Sequence, residues 1–269
     1  AKEESINTLL EMEKLKEEGV IKVLIASGCL AQRYKEEIQK EIPGVDAIIG
    51  TMAIDKITES VDKALAGRSE NYFKDISATP VYGKKRIVTT GGHYAYMKIA
   101  EGCDKHCTYC IIPKVRGGYR SIPMESLLKE AAELAENGVR ELILVAQETT
   151  LYGKDLYGKK SLPLLLHKLA EIPGIYWIRI LYCYPEEITE ELIAAIKAED
   201  KVCKYLDIPI QHASDNVLGR MGRKTSRADL ERIIGRLRAE IPEICLRTTL
   251  ITGFPGETEE DHEENLAFV

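Results

Sequence analysis

The chain reads as an α/β protein, a partial parallel (β/α) barrel preceded by part of a small α/β domain. Three observations predict this. Apolar runs of strand length alternate with amphipathic stretches of helix length along most of the chain. No hairpin signal lies between successive strand candidates of the larger part, so its strands should run parallel through helical crossovers. The unusual polar residues, including a tight group of cysteines, fall just after strand candidates, on what would be one rim of a barrel.

Residues 3–18 set Ile6, Leu9, Leu10 and Leu15 among charges, which predicts an amphipathic helix closed near Gly19. Residues 20–26 are apolar apart from Lys22 and predict a buried parallel strand, with Gly28 and Cys29 at its C-terminal end. A helix over 34–41, a short strand over 45–49 and a helix over 54–66 complete a first domain spanning 1–66. Residues 67–92 are rich in Ser, Thr, Gly and Lys, contain Pro80 and end in Gly91-Gly92, so they are expected to be a linker.

The barrel is expected over 93–269. Its strands are predicted over 94–100, 140–146, 175–181, 205–210 and 244–251, and its helices over 124–137, 162–171, 189–198, 216–221 and 227–240. Thr258, with Asp261 in capping-box position, opens a further helix that runs to Val269. A closed barrel would need at least one more strand, so the sequence reads as cut there.

The 269 residues include 45% hydrophobic and 30% charged, enough for a sizeable core in an ordinary globular protein. No apolar run of about 18 residues and no signal-peptide pattern are found. No membrane span and a cytoplasmic location are therefore expected. A net charge of −6 gives no support to direct nucleic-acid binding and suits a basic protein partner at least as well. A monomer is expected. Seven cysteines in a reducing compartment point to metal ligation or chemistry before disulfides.

Cys103, Cys107 and Cys110 lie on the loop after the first barrel strand, bounded by an apolar run before and by Pro113, Gly117 and Gly118 after. Three thiolates from one short loop can hold three irons of a four-iron, four-sulfur cluster and leave the fourth iron open to an outside ligand. The other reading is zinc, with His106 joining the three cysteines in a tetrahedral set crowded into one short loop. Other residues should share the rim: Gln147, Glu148, Thr149 and Thr150; Tyr182, Cys183 and Tyr184; Pro209, Gln211 and His212. Gly253, Pro255 and Gly256 then form a turn that lets backbone approach a flat ligand, ending in Glu257 before a helix. Cys183, Cys203 and Cys245 lack ligand spacing and read as small buried hydrophobes, while His93, His167 and His262 read as isolated. Arg116 and Arg120 flank the cysteine loop and could pair with an anion or simply face solvent.

The Cys103-x-x-x-Cys107-x-x-Cys110 motif after a strand, with the turn at 253–257, resembles the radical S-adenosylmethionine enzymes. Gly28-Cys29-Leu30-Ala31-Gln32-Arg33 is similar to the third-cysteine motif of the methylthiotransferase N-terminal domain, and the resemblance covers nearly the whole chain. Two branches differ in target, one modifying an adenosine of transfer RNA and the other an aspartate of small-subunit ribosomal protein twelve. The stretches at 147–153, 184–189 and 209–212 resemble the second, RimO-like branch; the first usually carries serine in place of His212.

The resemblance implies a radical SAM barrel and addition of a methylthio group to the aspartate β-carbon. It implies two [4Fe–4S] clusters, one on Cys103, Cys107 and Cys110 and an auxiliary one held partly by Cys29. S-adenosylmethionine would chelate the open iron, with Gln147, Gln211, Gly253, Pro255, Gly256 and Glu257 as cofactor-binding residues. No side chain is implied as a catalytic group. An electron donor such as flavodoxin or ferredoxin is expected, as are further cluster cysteines upstream of Ala1 and a small β-rich domain after Val269.

Overall fold

The computed structural model of the chain describes residues 2–79, 82–83 and 86–269; Pro80, part of the expected linker, lies outside them. The chain divides into two compact units, Ala1–Val81 with Ile111–Gly118, and Tyr82–Cys110 with Tyr119–Val269.

The smaller unit opens with α1 (Lys2–Glu17). Its end keeps turning, because Val20 and Ile21 both donate backbone N–H to Leu15 O (2.8 and 3.2 Å). The strand expected from residue 20 is therefore confined to β1 (Ile25–Ser27), and Leu24 N donates instead to Asp46 Oδ2 at 2.7 Å. β1 pairs in parallel with β2 (Ala47–Ile49), Ile25 opposite Ala47. The helix expected over 34–41 starts earlier and is broken into α2 (Cys29–Tyr34) and α3 (Glu36–Glu41) by Lys35, whose φ is 42°. A 3₁₀ turn at Ile54–Lys56 leads into α4 (Ile57–Leu65).

Tyr72 bridges in parallel to Ile49, and Phe73 packs on a core formed by Leu24, Ala26, Ala31, Ile38, Ile42, Val45 and Ile48. The start of the expected linker thus adds to this unit. So does α5 (Ile112–Arg116), a short helix with proline in its first turn where a loop was expected. Thr51 Oγ1 donates to Val115 O at 2.8 Å and anchors it.

The larger unit begins with β3 (Tyr94–Lys98) and the short β4 (Ala100–Glu101), which pairs antiparallel with β5 (Arg120–Ser121). This ladder, unforeseen in an otherwise parallel reading, clamps the two ends of the cysteine-bearing excursion. Asp155 locks it, accepting from Ser121 N at 2.8 Å and from Ser121 Oγ at 2.6 Å.

α6 (Met124–Glu136), β6 (Glu141–Val145), α7 (Lys154–Tyr157), α8 (Leu162–Ala170), β7 (Trp177–Ile180) and α9 (Glu190–Ala198) follow. Then come β8 (Val202–Asp207), α10 (Asp215–Arg220), α11 (Arg227–Glu240), β9 (Cys245–Arg247) and α12 (Glu259–Phe268). The sheet order is β3-β6-β7-β8-β9, each strand parallel to its neighbour, with helices making the connections between them.

One sheet face is apolar. Ala95, Met97, Leu142, Leu144, Ile178 and Leu206 are buried there in one core with Leu162, Leu165, Leu166 and Leu169 of α8. Tyr96 and Trp177 alternate to the other face and stay exposed. Thr258 and Asp261 form the expected capping box at α12, and Ser226 with Asp229 forms a second at α11.

Candidate metal centre

The cysteine loop is braced from three sides of its own unit. Gly102, with φ 80°, donates its N–H to Gln147 Oε1 at 2.7 Å, so this rim glutamine orients the loop. Thr108 N and Oγ1 bond to Met221 O and Arg220 O at the end of α10 (3.0 and 3.1 Å). Asp104 Oδ1 accepts from Tyr119 N at 3.0 Å.

Cys103 and Cys107 are buried and Cys110 is half-buried. Burial pushes the Cys103 thiol up to about 11; the Lys105 backbone N–H opposes this, while Glu148, Cys107 and Cys110 add to it. Among the described residues, no three His, Cys, Asp or Glu side chains converge on a site for one metal ion, and His106 is exposed. This donor set, three thiols without a completing imidazole or carboxylate, fits a polynuclear iron–sulfur group better than a lone zinc.

The buried carboxyl of Glu148 places Oε1 on Thr150, through its N–H at 2.9 Å and through its hydroxyl. Its Oε2 has no partner among the described residues, and burial pushes the group up to about 7. Tyr184 Oη lies 3.5 Å from Cys107 Sγ.

The turn at 253–257 takes positive φ at Gly253 (72°) and Gly256 (86°), and Pro255 is exposed between them. Glu257 supports its own turn, Oε2 accepting from Phe254 N at 2.8 Å. Ser214 N donates to His212 Nδ1 at 3.0 Å, which leaves the proton on Nε2, 3.4 Å from Glu257 Oε1. His262 Nδ1 meets the same oxygen at 3.2 Å, so this histidine is not isolated. Gln211 has φ 74° and pairs by backbone with Thr249 and Ile251 (3.0 and 2.7 Å).

Cys29 belongs to the smaller unit, half-buried at the start of α2, where Arg116 Nε donates to its sulfur at 3.2 Å. Arg116 thus has a partner that neither sequence reading named. Cys183 is buried as expected and Cys203 is half-buried, whereas Cys245 is exposed because β9 is the outermost strand of the described sheet. Sequence reasoning missed Arg223, a buried guanidinium stacked on Tyr184, because nothing in its local sequence marks it. No helix among the described residues is long and apolar enough to cross a membrane.

Residues 97–269 match the Radical SAM superfamily, and residues 1–50 match Uncharacterized protein family UPF0004. The chain is 64% identical over its full length to the ribosomal protein uS12 methylthiotransferase RimO of Lachnoclostridium phytofermentans. It is 49% identical over its full length to that of Clostridium tetani. It spans 61% and 60% of the length of these two relatives. The radical S-adenosylmethionine methyltransferase TsrM of Kitasatospora setae shares the fold, with a TM-score of 0.70 at 15% identity over 99% of this chain and 56% of that one. The cobalamin-dependent S-adenosylmethionine radical enzyme OxsB does so at 0.66 and 15%, over 97% and 41%.

Proposed function

This chain belongs to the Radical SAM superfamily, and from that premise we propose that it is the catalytic portion of a methylthiotransferase acting on an aspartate of ribosomal protein uS12. Membership implies one [4Fe–4S] cluster and S-adenosylmethionine. The observation that carries the reading is the braced loop of Cys103, Cys107 and Cys110 at the end of the first strand of the parallel sheet. Identity of 64% with a relative named for uS12 supports the target.

When bound, the cluster supplies the electron for reductive cleavage of S-adenosylmethionine. The protein's own residues do the rest of the positioning. Gln147 holds Gly102 and so fixes the loop's exit from the strand. Tyr184 presents its hydroxyl to the Cys107 sulfur. The turn at 253–257, with Gly253 and Gly256 at positive φ, is the proposed backbone approach to a flat adenine, and Glu257 stiffens it through Phe254 N. Gln211 lines the rim beside it.

Cys29 is proposed as one ligand of an auxiliary cluster, with Arg116 Nε donating to its sulfur. Flavodoxin or ferredoxin is the proposed electron donor to a monomeric enzyme.

The test uses full-length protein reconstituted without oxygen and given uS12 and S-adenosylmethionine. Wild type should release 5′-deoxyadenosine and methylthiolate the protein; Cys107→Ala should do neither, losing deoxyadenosine release at least about 100-fold, the scale on which a lost ligand or its support is felt. Mass spectrometry showing modified transfer RNA and unmodified uS12 would overturn the target.

A further inference from the structure

Tyr184 is flanked by two cations. Lys105 Nζ lies 5.1 Å from its ring centroid and Arg223 Cζ lies 4.4 Å from it. Their electrostatic situations differ. Lys105 is matched by carboxylates, Glu187 in close contact and Glu186 at 3.4 Å. Arg223 is almost wholly buried, its side chain 1% exposed, and its nearest carboxylate oxygen, Glu186 Oε2, stands 4.0 Å away. That oxygen already accepts from Thr225 Oγ1 at 2.7 Å. The guanidinium donates from Nη2 to Pro209 O at 3.3 Å, Nε and Nη1 make no hydrogen bond of ordinary geometry among the described residues, and Tyr109 lies close to both Arg223 and Cys107.

A buried cation so poorly matched is unfavourable by itself. It is tolerable beside negative charge, which Cys107 would supply on ligating as a thiolate. Once Cys107 ligates as a thiolate it can only accept, so the Tyr184 hydroxyl becomes the donor across their 3.5 Å contact. Hydrogen bonds to ligating sulfurs and net charge around a cluster both set its potential.

We propose that Tyr184 and Arg223 form a positioning pair that draws electron density from the Cys107 sulfur and raises the potential at which the cluster is reduced. The inference rests on the reading that Cys103, Cys107 and Cys110 hold that cluster. Arg223 touches no reacting atom in this scheme; it acts through the tyrosine and through its charge.

The experiment is a potentiometric titration of the reconstituted full-length protein in a Cys29→Ala background, which removes a ligand of the proposed auxiliary cluster, followed by the electron paramagnetic resonance signal of the remaining reduced cluster, with iron content measured for each sample. Arg223→Met keeps the stem and removes the charge. It should lower the midpoint by about 59 mV, a tenfold weaker reduction equilibrium for one electron. Arg223→Lys should recover most of that shift, and Tyr184→Phe should lower the midpoint by a smaller amount.

Wild-type midpoints in Arg223→Met and Tyr184→Phe at full iron content would overturn the proposal, as would equal losses in Arg223→Met and Arg223→Lys. Should Arg223→Met fail to take up iron, Tyr184→Phe decides: a lowered midpoint supports the pair and an unchanged one refutes it. A wild-type protein that binds no four-iron cluster would instead remove the proposed function, and this inference with it.

Discussion

Glu148 shows how a single buried carboxyl links the rim to pH. Its folded value near 7 lies above the ordinary 4.5, so folding favours the protonated form. The penalty is absent well below pH 4.5, grows as pH rises through the interval to about 7, and is complete above it. Glu148→Gln should therefore be more stable relative to wild type at pH 8 than at pH 5, by on the order of 3 kcal/mol, measured by urea unfolding at both pH values. Gly256 makes a second residue-scale prediction, since its φ is 86° and an added Cβ would stand 2.5 Å from Arg220 Nη1. Gly256→Ala should cost about 1–2 kcal/mol in backbone strain and weaken S-adenosylmethionine binding in equilibrium dialysis. The three thiols were legible in sequence because their spacing is local. The burial of Glu148 and the stacking of Arg223 on Tyr184 were not, because residues far apart in sequence create both.

At the scale of elements, local chemistry was readable where it is self-contained. Thr258 and Asp261 announce α12 because a capping box closes within one turn. The Lys35 break between α2 and α3 carries neither glycine nor proline and had no such signal. The expected strand over 20–26 was too long because an apolar run cannot tell strand from the irregular exit of a helix, and Leu15 O decides it. Ser226 at the start of α11 accepts from Asp229 N at 3.2 Å and donates to Asp229 Oδ2 at 2.7 Å. Ser226→Ala should cost about 1 kcal/mol and speed amide exchange in the first turn of α11, read by mass spectrometry.

Over the whole molecule, the five-stranded parallel sheet was legible from alternation, since repeated strand–helix–strand units without hairpin turns are the connections that parallel neighbours need. The recruitment of Ile111–Gly118 into the smaller unit was not, because it depends on contacts such as Thr51 with Val115. The larger unit's stability should rest on its apolar face. Leu165, 0% exposed in α8, has its side chain wholly within that core. Leu165→Ala should lose about 2–5 kcal/mol. The sole tryptophan, Trp177, lies in this unit, so its fluorescence during urea unfolding reports the change there.

The β4–β5 clamp has a kinetic corollary. With Ala100 held opposite Ser121 and Glu101 opposite Arg120, the chain's own backbone closes the base of the cysteine-bearing excursion without help from any bound group. If this loop holds the proposed cluster, assembly should be paced by delivery of the inorganic parts and not by a slow search of the polypeptide for its own shape.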